Sequence, residues 1–512
     1  MSHSAEEAIP SHYDHIIVGG GSAGCVIAAR LSEGGTRRVL LIEAGGTDVD
    51  RPSIVEPGSW PANLGSDVDW QYRTTPQLGA DGRIFDYARG KVIGGSSTIN
   101  AMAWVWGHPT DFNAWEDDGN EGWGFASLDP VFKRIETSTR TDSDSSRGHS
   151  GPMLVGPMPE PATIVADFLE ACREAGYSVR EDVSGPVTEG AGTMDLNMKD
   201  GRRFSVVHAY LDPALSRRNL TVLPHTLVES LTFEGTRCVG VRCQIAGQRR
   251  ELRSEHDVVL SAGTIDSPRL LMNSGIGNAD HLRRLGIEVV ADLPGVGENL
   301  HDHPLVVAFS AETHRDSTRG ARTESHLFLR SSHSLPAPDV QILLSPTATG
   351  LTNVRPSKGF SLIPALLRPR SRGRLAITAA DIRSPLHIDP NFLSDASDLD
   401  ALCVAVQTCT KLGLSTALSH WRAGDVRVAP SGKAELCEFI KRNVVTYNHA
   451  VGTCAMGVGN RAVVDPLLRV HGTSNLRIAD ASVMPSITTG NTLAPTLVIA
   501  ERAASIVAAS AR

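Results

Sequence analysis

At 512 residues the chain exceeds the usual size of one compact domain, so two domains, interleaved or in series, are expected. Its composition, 41% hydrophobic and 21% charged, supports a large core and excludes wholesale disorder. Forty-nine basic against 57 acidic residues leave a net charge of −8 without a long single-sign block, so the charge pattern asks for neither nucleic acid nor an anionic membrane.

The opening segment, Met1 to Asp14, is polar and slightly acidic, with neither the basic nor the apolar region of a secretory signal. No uninterrupted apolar stretch approaches the ~20 residues that a spanning helix needs. The expectation is a soluble, cytoplasmic protein whose first ~11 residues are an unstructured lead-in. The cysteines are too sparse for a disulfide scaffold, and the close pairs Cys238/Cys243 and Cys403/Cys409 lack zinc-ribbon spacing. Reduced core thiols are expected.

The first predicted strand, His15 to Val18, is short, β-branched and bounded by glycine, as a buried parallel strand is. Gly19-Gly20-Gly21-Ser22-Ala23-Gly24 then fits G-x-G-x-x-G, and Ala23 to Ser32 reads as a helix. In this pattern the first glycine allows a tight turn and the second lets the backbone approach a pyrophosphate. The third lets helix pack on strand, with the helix N-terminus toward the phosphates. A second strand, Val39 to Ile42, ends in Glu43, roughly 20 residues past the glycines, where a carboxylate accepts from ribose hydroxyls. That carboxylate argues against NADP, whose 2′-phosphate it would repel. NAD and FAD both stay open at this point.

Arg89-Gly90-Lys91-Val92-Ile93-Gly94-Gly95-Ser96-Ser97-Thr98-Ile99-Asn100 is a second loop of bare amides and hydroxyls. A nicotinamide site has no need of a second glycine-rich cradle, whereas a large, resident flavin does. Further on, Val258 to Leu260 reads as a strand, and Ser267-Pro268 as an N-cap with proline at the first helical position. Leu476 to Ile478 reads as a strand ending at Asp480. Thr492 to Pro495 opens a final amphipathic run to Ala508. Thr137 to Gly151 and Ser331 to Pro338 read as surface loops.

Several of these stretches together resemble the glucose–methanol–choline (GMC) oxidoreductases, FAD enzymes that oxidise alcohols. Gly90 to Asn113 fits that family's first signature and Gly263 to Gly277 its second. Gly297 to Leu300 with Asp302-His303-Pro304 looks like its NLQDHP turn, with His301 in place of Gln. Asn448-His449, Asp465-Pro466, Asp480, Asn491 and Pro495 match its C-terminal block. The resemblance runs nearly end to end.

The resemblance implies an α/β fold, α+β overall. A Rossmann-like FAD-binding domain (12–155, 200–305 and 440–512) interleaves with a substrate domain (156–199 and 306–439) carrying an antiparallel sheet flanked by helices. The implied FAD contacts are Gly19, Gly21, Ser22, Ala23, Gly24, Glu43 and Ala44 from the first cradle. The second supplies Arg89, Gly90, Val92, Gly94, Gly95, Ser96, Asn100, Ala101, Met102 and Ala103. Val228, Asp480, Ala481, Asn491 and Thr492 complete the set. Val228 is equally at home as a core strand residue, and Asp480 as a helix cap. Some members hold FAD covalently through a histidine just before the cradle's asparagine; Ile99 stands there, which implies non-covalent FAD.

Oxidising an alcohol removes a hydride from carbon and a proton from oxygen, and the base must be neutral near operating pH, which favours histidine. His449 matches the family's active-site histidine, with Ala450 where proline is common. Asn491 matches a position that is His or Asn across the family. His449 is expected to take the hydroxyl proton, and Asn491 to hold the substrate oxygen. The start of the final helix is expected to stabilise negative charge on the reduced cofactor. His301-x-His303 reads as a structural turn rather than a metal pair, and no metal is expected. Trp60, Trp70 and Trp104 are candidates to line the pocket, with plain core packing as the competing explanation.

The GHPTDF segment resembles choline dehydrogenase-like and pyridoxine oxidase-like members, pointing to a small primary alcohol, with oxygen or another carrier as acceptor. The alternatives are a hydroxynitrile lyase-like enzyme using His449 without redox turnover, a non-catalytic flavoprotein, and an NAD-dependent dehydrogenase.

Overall fold

The computed structural model describes residues 9–140, 146–186, 188–315, 323–348 and 357–510. Most of the expected N-terminal lead-in, residues 1–8, lies outside them, and His12–Tyr13 is already a strand beside Gln248–Ser254.

Five parallel strands form the sheet that carries the first glycine loop, in the order Leu220–Leu223, Val39–Ile42, His15–Val18, Val258–Leu260, Leu476–Ile478. His15–Val18 and Val39–Ile42 are buried at every position, as continuous apolar strands of a covered parallel sheet are. From the central strand His15–Val18 the chain moves first to Val39–Ile42 on one side and later to Val258–Leu260 on the other. A crevice opens at such a switch point, outside the carboxyl ends of the strands. Here those ends are Gly19 and Ser261.

The second body is an eight-stranded sheet. Its main path runs Val426–Val428, Phe309–Glu312, Ser357–Leu366, Val340–Ala348, Ser325–Leu329, Gly190–Thr193, antiparallel throughout. Pro304–Leu305 and Val445–Thr446 join it from the side. Side chains alternate across a strand. Ile342 and Leu344 therefore enter a core with Leu402 and Val406 of helix Ala396–Gly413. Leu343, Ser345 and Thr347 of the same strand face the other way, into a cavity between the two bodies.

The structure departs from several sequence expectations. The helix after Val258–Leu260 runs Gly263–Asn273, so Pro268 lies inside it and Ser267 is not its cap. Proline removes the N–H that would bond the carbonyl of Thr264. The hydroxyl of Thr453 supplies the missing donor at 2.6 Å, and the Thr264 hydroxyl donates in return to the Ala450 carbonyl at 2.7 Å. The final helix, Leu493–Ser510, is a central core helix rather than an amphipathic one, packed on Ser22–Leu31. By length and composition it could cross a membrane, although Glu501 and Arg502 interrupt its apolar run. Most of it is buried inside the protein, and its Glu501 pairs with Arg30 at 2.8 Å.

Thr137 to Gly151 is only partly loop: Glu136–Ser138 is a strand, and residues 141–145 lie outside the described ones. Arg147 is buried and bonds Glu136 at 2.7 Å. Leu375, Ile377, Ile382 and Ile388, from a segment expected in the substrate domain, pack into the core of the parallel-sheet body. All eight cysteines are free, and seven are buried.

Candidate functional site

The cavity between the bodies measures about 1200 Å³. Sites for drug-sized ligands run to ~300–1,000 Å³, so this one has room for a dinucleotide and a small substrate together. The three motif glycines are each required, for different reasons. Gly19 has φ +100°, and a Cβ there would lie 2.6 Å from the Ser261 carbonyl oxygen. A Cβ on Gly24 would lie 1.9 Å from the Gly19 carbonyl oxygen, so helix and strand meet only without one. A Cβ on Gly21 would meet no atom closer than 3.9 Å and would project into the cavity. Bare backbone at that point serves whatever occupies the cavity.

The two glycine loops abut: the Gly94 amide donates to the Gly20 carbonyl at 2.7 Å. Glu43 accepts from the amides of Gly20 and Gly45 at 2.8 and 2.7 Å, and burial pushes its carboxyl up to about 7. Asp480 accepts from Gly263 N at 2.8 Å and Ser267 Oγ at 2.6 Å, and caps the short helix Ala481–Val483 through Ser482 N at 2.8 Å. Burial raises its carboxyl above the usual range. It is thus a cap and a cavity wall at once. Met102 holds φ +65°, rare for a side chain of its size. Asn100 Oδ1 accepts from its amide at 2.9 Å and from Arg203 at 2.6 Å.

Of the residues named from sequence, Gly19, Gly21, Ser22, Ala23, Glu43, Ala44, Arg89, Gly90, Gly95, Ser96, Asn100, Ala101, Met102, Ala103, Val228, Asp480, Ala481, Asn491, Thr492 and His449 all line the cavity. Gly24, Val92 and Gly94 do not. Gly24 is covered by Gly19, Val92 is a buried bridge to Gly46, and Gly94 sits behind the wall against Thr98 and Val207. Trp60 and Trp70 line the cavity. Trp104 does not: it is fully buried, and its indole N–H donates to Glu136 at 2.8 Å. Sequence reading missed Tyr72, Asp266, Arg269, Met194, Leu343 and Tyr447, which also line the cavity. The period-2 pattern of the large sheet was the available signal for Leu343.

At one end of the cavity stands His449, which follows Asn448 at φ +61°, a conformation asparagine tolerates. Its amide donates to Asp302 at 2.8 Å, and the Arg89 guanidinium holds the Asn448 carbonyl at 2.9 Å. Tyr447 stacks on the imidazole with centroids 4.0 Å apart. His449 Nδ1 lies 3.0 Å from His303 Nδ1, and its Nε2 lies 3.3 Å from Asn491 Nδ2. Asn491 follows Gly490 at φ +116°, and Thr489 ties that turn to buried Asp111 through N at 2.7 Å and Oγ1 at 3.0 Å.

The protons in this line follow from its far end. His303 Nε2 lies 2.9 Å from the Leu367 carbonyl, which only accepts, so Nε2 carries the hydrogen. Burial holds His303 down at about 3, so the ring is neutral and its Nδ1 is a lone pair. His449 Nδ1 must therefore donate to it, which leaves the His449 Nε2 lone pair toward Asn491 and the cavity. Burial first, then His303 and Arg89, hold His449 well below the usual histidine range, so it too is neutral. His303, read from sequence as a turn residue, orients the His449 ring. His301 is the turn residue proper: Nδ1 donates to the Asn299 carbonyl at 2.6 Å and Nε2 accepts from Ile487 N at 2.9 Å.

Two buried polar atoms at the cavity lack partners within the protein, Arg89 Nη2 and Asn491 Oδ1. With the Gly21 opening, the amide cradles and the volume, they fit a flavin dinucleotide. Among the described residues no cluster of three or more His, Cys, Asp or Glu is arranged to hold a metal.

Family models described as GMC oxidoreductase match residues 13–305 and 369–500. Human mitochondrial choline dehydrogenase is 37% identical over 98% of this chain and 91% of its own length. An alcohol dehydrogenase [acceptor] of Pseudomonas putida is 34% identical over 97% of this chain and 95% of its own. Among solved structures, pyridoxine 4-oxidase from Mesorbium loti superposes with a TM-score of 0.91 at 35% identity, covering 96% of this chain and 98% of that one.

Proposed function

Because the chain belongs to the GMC oxidoreductase family, enzymes acting on CH–OH donors, we propose that it oxidises a primary alcohol to the aldehyde with non-covalently held FAD, His449 serving as base. The observation that carries this reading is the ordered line Leu367 carbonyl, His303, His449, Asn491 at the cavity end, which leaves one unprotonated imidazole nitrogen facing the cavity.

When bound, FAD supplies the acceptor for the hydride that leaves the carbinol carbon. Gly21, Glu43, the second glycine loop and Asp480 would hold it, and Ile99 offers no nucleophile for a covalent bond. The chain's own residues handle the proton. An alcohol hydroxyl at this end donates to His449 Nε2 while accepting from Asn491 Nδ2, replacing the long 3.3 Å contact between the two side chains. His449 then takes the proton, and the positive charge on its ring is shared toward His303 Nδ1. The N-terminus of Leu493–Ser510, whose Thr492, Leu493 and Thr496 line the cavity, offers amides and a positive dipole end for negative charge that develops there.

Adding a primary alcohol without oxygen should bleach the yellow protein. A yellow protein that no alcohol bleaches, but that releases cyanide from a cyanohydrin, would favour the lyase reading instead.

A further inference from the structure

We propose that the substrate is an uncharged, apolar alcohol, and that a quaternary ammonium such as choline is excluded by the wall facing His449. This rests on the alcohol-oxidation reading and narrows it. Met102, Ala103, Met194 and Leu343 belong to a small hydrophobic cluster of their own, against which Ile363 and Tyr447 pack. Met102, Met194, Leu343, Ile363 and Leu305 all line the cavity, and the Tyr447 ring stacked on His449 carries the apolar surface up to the base itself. Two methionines in such a wall give soft, adaptable contact suited to alkyl or aryl groups.

The polar groups on this side are small and mutually engaged. Ser345 and Thr347 hydroxyls lie 3.0 Å apart, and the Tyr447 hydroxyl lies 3.4 Å from Gln341 Oε1.

Among the described residues, three carboxylates line the cavity, and each is already committed. Glu43 and Asp480 accept from backbone amides. Asp266 accepts from Tyr72 at 2.7 Å and Arg269 at 3.3 Å. The remaining charged groups on the lining, Arg89, Lys91, Arg269 and Arg383, are cations. Among the described residues an ammonium group seated against this wall would meet no uncommitted carboxylate, so the face of the Tyr447 ring alone would offset its costly desolvation, whereas an alkyl group of the same shape gains by burial.

The test compares choline with neohexyl alcohol, in which carbon replaces the charged nitrogen, on the FAD-loaded enzyme. Anaerobic bleaching gives the relative second-order rates, and the melting temperature of His449→Ala holoenzyme with each compound reports binding without turnover. The neutral alcohol should bleach at least ~100-fold more efficiently, as the cost of an unpaired buried charge implies. Choline reacting as well as its isostere, or better, overturns the proposal. If neither bleaches the enzyme but only the neutral compound raises the melting temperature, the oxidation reading fails while the neutral pocket stands. If neither bleaches and the neutral compound does not stabilise, both fall.

Discussion

Gly21 and Gly24 stand in one motif, and substituting each should produce opposite failures. A Cβ on Gly24 falls 1.9 Å from the Gly19 carbonyl oxygen, so Gly24→Ala must push the helix Ser22–Leu31 off its strand. Overpacking of this kind costs ~1–3 kcal/mol, more where backbone must move, and here backbone is what it meets. Gly21 has φ −76° and ψ −162°, a conformation any residue adopts, and its Cβ clears every protein atom by 3.9 Å. Gly21→Val should therefore fold. Its methyls would instead enter the cavity where the motif places a pyrophosphate, and the same ~1–3 kcal/mol, borne by the ligand, would weaken FAD binding by ~5–150-fold. Calorimetric titration of FAD into deflavinated protein, with melting curves of both apoproteins, separates the cases. Gly21→Val should melt close to wild-type apoprotein yet purify pale, and Gly24→Ala should melt lower or fail to fold. A Gly21→Val protein with full flavin and wild-type affinity, or a Gly24→Ala protein as stable as wild type, would refute the steric reasoning.

Three further outcomes are expected. His303→Leu removes the acceptor that fixes the His449 proton on Nδ1, so flavin reduction should slow ~10–100-fold with little change in KM. His303→Asn, which restores an acceptor, should recover part of the rate; equal rates in both variants would make His303 merely structural. Burial holds His15 at about 4 and His301, His303 and His326 at about 3, so the folded protein keeps them neutral while the unfolded chain protonates them below 6.5. Stability contributed by these groups is present above pH 6.5 and lost as pH falls, by up to ~1.4 kcal/mol per group per unit. Glu43, held up at about 7, opposes this, as do the raised carboxyls of Asp195, Asp212, Asp266, Asp302 and Asp480, whose unfolded values lie below this window, while His108 and His449, both held below the usual range, add to the loss. The melting temperature should thus drop between pH 7 and pH 5; a rise would contradict this. Acid precipitation should leave flavin in the supernatant, since Ile99 has no nucleophile, and a fluorescent pellet would mean a covalent bond.

The parallel-sheet body was legible because its residues answer local steric demands. Buried strands need apolar runs, and Gly19 and Gly24 each have a carbonyl too close for a side chain. His449 was legible through the resemblance alone, since a lone buried histidine carries no mark of catalysis. Its partner His303 lies 146 residues away in sequence, and only the folded chain brings the two rings to 3.0 Å. Pro268 was misread for the same reason: proline signals a helix start locally, and the Thr453 hydroxyl that lets it sit mid-helix comes from 189 residues beyond Thr264. Trp104 follows the second cradle in sequence, but a strand turns its indole to Glu136 rather than to the cavity.

The central claim is that His449 Nε2 takes the substrate proton while Asn491 holds the oxygen. Rapid anaerobic mixing of alcohol with FAD-loaded wild type, Asn491→Ala and His449→Ala, followed by loss of flavin colour, tests it most directly. His449→Ala should retain FAD and fold yet reduce ~10²–10⁴-fold more slowly, the usual cost of losing a general base, with Asn491→Ala between it and wild type. Reduction of the His449→Ala flavin at the wild-type rate would contradict the assignment.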